Sequence, residues 1–269
     1  MVKKLFKHEF LAYARVMAIV YGILLTIATA TRIILIFESD TTAYQIISTF
    51  SLIIYLVSAV AAALFSTAFG VIRFYKNLFT SEGYLSFTLP VTPSQHITVK
   101  AVTAVCVELL SLLVVLLSGC IVTSGEVLVE IWKALIYIWN QLYAQMGFHL
   151  VLAGGECLIL FLVTSAASFM LYYTCISIGQ LSKKNRILAA VGVYFAYYIL
   201  AQIVSTVVTI LISVVATTGA FEEIFFWVFQ HPFASMHLGF WGFILLTSAF
   251  VVVEFLIIRA ITTKKLNLE

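Results

Sequence analysis

Six apolar runs govern what this chain can fold into. They cover Val16–Phe37, Ile46–Ile72, Ala101–Ser124, Gly147–Ile178, Ile187–Thr217 and Leu238–Ile258. Each reaches the ~20 residues that a helix needs to cross a hydrocarbon core. Lipid offers no water to satisfy backbone N–H and C=O groups, so runs of this kind must be helical. The rest of the composition agrees: 63% of the 269 residues are hydrophobic and 10% are charged, against about a quarter charged in a soluble domain. The expected fold is an all-α integral membrane protein, a single transmembrane domain over 1–269 with six transmembrane helices. The sequence before the first run lacks the small-residue cleavage site of a secretory signal, so that run is read as a retained span.

Lys and Arg set the orientation. With the N-terminus inside, every Lys and Arg except Arg32 and Lys133 falls on the cytoplasmic side. The positive-inside rule then places both termini in the cytoplasm. A net charge of +3 gives no reason to expect a nucleic-acid partner. The four cysteines show no CxxC or Cys/His ligand spacing, so no metal site is expected, and they read as small buried hydrophobes.

Before the first span, residues 1–15 have an amphipathic pattern. Phe6, Phe10, Tyr13 and Met17 share one helical face, with Lys4, Lys7, His8 and Arg15 opposite. The expectation is an N-terminal interfacial helix lying along the inner membrane surface in contact with lipid. A basic flank that only fixes topology is the simpler reading.

Between the second and third spans lies a cytoplasmic loop, 73–97, which holds most of the chain's polar signals. Thr92-Pro93-Ser94-Gln95 has the form of a capping box, with Pro at the first helical position. Leu89 precedes Pro90 and is pushed out of the α region. Ser81-Glu82 reads as another helix start. The segment between them, with Tyr84, Leu85 and Phe87, is predicted to form a short helix facing the cytoplasm. A stiff connector with its aromatics at the lipid interface fits the same residues.

The stretch "RFYKNLFTSEGYLSFTLPVTPSQ" after the second of six spans resembles the permeases of type-2 ATP-binding-cassette (ABC) exporters of low-GC Gram-positive bacteria. So do the basic helix "KKLFKHEFLAYAR" and the return loop "GQLSKKNRI". The resemblance covers the whole chain in outline and is specific over the loop. It implies a coupling helix in which Glu82, Gly83, Tyr84, Leu85 and Phe87 contact a separate ABC ATPase subunit. ATP and Mg would sit on that partner, with no cofactor in this chain. It further implies a second permease copy, giving a homo- or heterodimer in the bacterial plasma membrane. Short extracellular helices would lie between the fifth and sixth spans, over 218–237.

Three acids fall within spans. Glu254 lies near the cytoplasmic end and reads as interfacial. Glu108 and Glu156 are deeper, and an ionisable group at that depth is costly enough to suggest a function. Either they are hydrogen-bonded structural acids or they belong to a substrate or proton pathway. Gly154-Gly155 marks a place where the fourth span could break. No P-loop, HExxH or GxSxG occurs, so no ATP hydrolysis or other catalysis is expected in this chain. Glu222-Glu223 lacks the following Arg of the EExxxR intramembrane proteases. The expected function is half the translocation pathway of an exporter of an amphipathic peptide or other hydrophobic compound. The alternative is a stand-alone proton-coupled carrier using Glu108 and Glu156, which predicts internal repeats; none is evident.

Overall fold

The computed structural model describes residues 2–37, 39–80, 83, 90–123, 125–182, 185–217, 219 and 222–264. Among these there are eight helices and no strands: α1 (Val2–Ile36), α2 (Thr42–Phe79), α3 (Pro93–Val122), α4 (Glu126–Met146), α5 (Phe148–Gly179), α6 (Arg186–Thr217), α7 (Glu222–Gln230) and α8 (Pro232–Lys264). Six of them, α1, α2, α3, α5, α6 and α8, are long and apolar enough to cross a membrane. The chain is a multi-pass membrane protein by that measure. Each of these six has at least 30 residues, about 45 Å of helix at 1.5 Å per residue. That exceeds the ~30 Å hydrocarbon core, so every one extends into the interfacial layers or tilts.

Local chemistry sets the helix starts. Thr41 caps α2 by accepting from the Tyr44 N–H at 3.4 Å. The capping box at Thr92 is complete: its hydroxyl accepts from Gln95 N at 3.4 Å, and Gln95 Oε1 accepts from Thr92 N at 3.1 Å, with Pro93 at N1. These bonds satisfy N–H groups that have no partner inside the helix.

Three expectations change, and one helix was not expected. The separate surface helix over 1–15 is replaced by the first turns of one uninterrupted helix, α1, because nothing between Lys3 and Met17 breaks the helical ladder. The connector after the third span contains α4, 21 residues with Trp132, Tyr137, Trp139 and Tyr143 all exposed and none of its residues buried. Its aromatics suit a membrane–water interface. The Gly154-Gly155 pair does not interrupt α5. Finally, 218–237 contains one short helix, α7, and α8 already begins at Pro232, a favourable N1 residue.

Helix packing divides the chain into two compact units, Met1–Gln141 and Leu142–Glu269. In the first, α1 packs on α2 and α3, and α2 on α3. The buried face of α2 reads Ser51, Tyr55, Ala59, Ala62, Ser66, Gly70, Phe74, a run of mostly small residues at helical spacing that lets helix backbones come close in lipid. Leu24, Ala28, Tyr55, Ala59, Ala62 and Val122 form its apolar core. Hydroxyls bridge the helices in steps along this core. Tyr13 donates to the Ser66 carbonyl, Tyr21 pairs with Ser111 Oγ at 2.5 Å, Tyr55 with Ser118 Oγ at 3.1 Å, and Thr31 donates to the Ser51 carbonyl at 3.3 Å.

In the second unit α5 packs on α8 and α6. A Cβ at Gly179 would lie 2.7 Å from the Ala190 backbone, so glycine is what allows the end of α5 to meet α6. None of the four cysteines is in a disulfide. Cys175 is buried and Cys106 half-buried, but Cys120 and Cys157 are exposed, which corrects the reading of all four as buried.

Candidate functional site

The site with the most construction behind it is at the root of the 73–97 loop. Glu9, on the first turns of α1, reaches two other helices. Its Oε2 accepts from Arg73 Nη2 at 2.6 Å, and its Oε1 accepts from Lys100 Nζ at 2.5 Å and Asn77 Nδ2 at 3.1 Å. Arg73 and Asn77 lie on the last turns of α2 and Lys100 in the third turn of α3. One carboxylate on α1 therefore ties that helix to the two that enter and leave the loop. The Lys100 and Glu9 side chains are 5% and 12% exposed, so water does little to weaken the attraction.

Apolar packing completes the root. Phe74 and Phe79 meet edge-to-face at 5.7 Å, and Leu78, Ile97 and Val99 are buried around them. With two cations on one carboxylate and no nucleophile in the group, the arrangement can brace three helices; it offers no bond-making chemistry.

Of the expected coupling residues, Gly83 is buried, and its N–H donates to the Thr80 carbonyl at 2.8 Å. Glu82, Tyr84, Leu85 and Phe87 lie outside the described residues. On α1, Lys4, Lys7 and Arg15 are exposed, while Phe6 and Phe10 are half-buried with their rings stacked at 6.0 Å. The later members of the apolar stripe are covered by protein. Tyr13 and Met17 are buried, and Tyr13 rests on Phe69 of α2 at 5.1 Å.

Glu108 is half-buried on α3. Glu156 is buried on α5 and pairs with His237 Nδ1 of α8 at 2.7 Å. His237 Nε2 in turn faces His149 Nδ1 at 3.1 Å. Glu254 is 6% exposed, more enclosed than its expected interfacial role, because it lies on a buried face of α8. Glu9, His149 and His237 were not among the expected site residues. A lone acid in the basic "KKLFKHEF" stretch was the signal available for Glu9.

Comparison with protein-family models, with curated proteins and with solved structures gives no match to this chain.

Proposed function

We propose that the chain is the membrane-spanning permease subunit of an ABC exporter, half of a translocation pathway driven by a separate ATPase. The observation that carries this reading is the Glu9 brace at the root of the loop. A segment that converts movement of a partner into movement of spans needs a stiff base, because a slack one would dissipate the displacement. A carboxylate bonded to side chains of two further helices supplies that stiffness at the place where the resemblance puts the coupling helix.

In this reading Glu82, Gly83, Tyr84, Leu85 and Phe87 meet the ATPase, which holds ATP and Mg. A second permease copy supplies the other half of the pathway. Both termini face the cytoplasm of a bacterial cell, in keeping with the Lys and Arg distribution, and α7 faces outward. The cargo class that suits a chain with 22 Phe and 13 Tyr is an amphipathic peptide or other hydrophobic compound.

The test is co-purification with the candidate ATPase and measurement of its stimulated turnover. Glu82→Arg combined with Tyr84→Ala is expected to abolish both association and stimulation. If both persist, the coupling assignment is wrong. Proton-driven uptake into vesicles free of any ATPase would instead favour the carrier reading based on Glu108 and Glu156.

A further inference from the structure

At the end of the second unit where α5 and α8 begin, three ionisable side chains stand in a row. His149 is exposed in the first turn of α5, His237 is half-buried in the second turn of α8, and Glu156 is buried two turns after His149, about 10 Å along the helix axis. The contacts between them are His149 Nδ1 to His237 Nε2 at 3.1 Å and His237 Nδ1 to Glu156 Oε2 at 2.7 Å. Phe233 lies flat on the His149 ring, centroids 4.6 Å apart and planes 3° from parallel, which fixes the ring's plane.

Donor and acceptor roles follow from this order. An ionised carboxylate only accepts, so His237 carries its hydrogen on Nδ1. Its Nε2 in a neutral ring then accepts, and His149 Nδ1 donates. That leaves Nε2 as the lone-pair nitrogen of the exposed ring. The facing nitrogens are occupied with each other, which leaves no shared point for a metal ion; among the described residues no group with metal-binding geometry occurs.

We propose that His149, His237 and Glu156 form a proton-binding relay that carries a proton from the exposed end of α5 to the buried carboxylate. A proton from water bonds to His149 Nε2. The His149 Nδ1–H bond breaks as its proton moves to His237 Nε2, and the His237 Nδ1–H bond breaks as its proton moves to Glu156 Oε2. One proton has entered and one carboxyl O–H has formed. Both rings are neutral with their tautomers inverted, and the negative charge on Glu156 is gone.

His149 sits at a helix N-terminus, where a resting positive charge is disfavoured, and the row ends on the buried Glu156. The neutral state replaces a charge-assisted hydrogen bond between α5 and α8 with a weaker neutral one. Protons thereby loosen this contact. The inference does not depend on the permease reading.

Other ionisable groups on the packed elements stand apart from the row. On α5, Cys157 is exposed beside Glu156, while Tyr172, Tyr173 and Cys175 lie in its last turns. Glu254 and Arg259 are at the far end of α8. On α6 the ionisable groups, Arg186, Tyr194, Tyr197 and Tyr198, are in the first half, and 201–217 carries none. Near the start of α8, Glu222 and Glu223 are in the first turn of α7, and His231 stacks on Trp227.

Infrared difference spectra of the full chain in lipid vesicles, recorded on lowering the pH, test the relay. A carboxylic C=O band is expected to appear, to be lost in Glu156→Gln, to shift in pH midpoint in His237→Gln, and to rise more slowly after a pH jump in His149→Gln. The same band, midpoint and rate in both histidine variants would overturn the proposal. Nitrogen-15 spectra of histidine-labelled wild-type protein avoid any folding defect. Inversion of two neutral rings from the Nδ1–H to the Nε2–H form is expected, and imidazolium at either ring would overturn it.

Discussion

The two units handle buried polar groups in different ways. In Met1–Gln141 they pair across helices at successive levels, from the Glu9 trio through Tyr13, Tyr21 and Tyr55 to Thr31. In Leu142–Glu269 the charged link between helices lies at one end, at His237 and Glu156. Buried side-chain oxygens with no hydrogen-bond partner among the described residues occur in both units, Thr103 Oγ1 in the first and Thr174 Oγ1 and Glu254 Oε2 in the second. The units therefore differ in how their helices are linked and not in whether every polar atom is met. Links repeated along three helices resist sliding, whereas a link at one end leaves the far end of the pair held by packing.

Glutamate substitutions sharpen this contrast most. Glu9→Gln leaves Arg73 and Lys100 enclosed without their counter-charge, and breaking a buried ion pair from one side costs about 3–5 kcal/mol. Thermal unfolding of the detergent-solubilised protein is expected to show that loss, with partial recovery when Lys100→Met is added. An unchanged melting temperature in Glu9→Gln would break the comparison. Glu254→Leu is expected to act in the opposite direction. It removes a buried polar group with an unmet oxygen, for a gain of about 1–3 kcal/mol, seen as a higher melting temperature. The smallest effect belongs to Tyr55→Phe, which deletes one rung to Ser118; hydrogen bonds between membrane helices average about 0.6 kcal/mol. A loss several times larger would mean that the rungs act together.

The sequence carried the local parts of this architecture. The capping box at Thr92 could be read because all its members lie within one turn. The six spans could be read because bilayer thickness fixes their length. Glu9 could not be read in the same way: Arg73, Asn77 and Lys100 are 64, 68 and 91 residues away, and only the packing of α1 on α2 and α3 brings them together. His149 and His237 are likewise 88 residues apart. Helix α4 was not anticipated: among the described residues none of its side chains is buried, so no core-facing stripe marks it. For α1 the error was one of environment. A stripe of Phe, Tyr and Met at helical spacing looks the same whether lipid or protein covers it.

The exposed cysteines give this chain a ruler that needs no engineering. Cys120 belongs to the first unit and Cys157 to the second. Thiol-reactive spin labels placed on both would report the distance between the two units directly. Cys157 also adjoins Glu156, so the same label senses the neighbourhood of the buried carboxylate. One doubly labelled sample, followed through changes of pH, would record any change in that distance on a single scale.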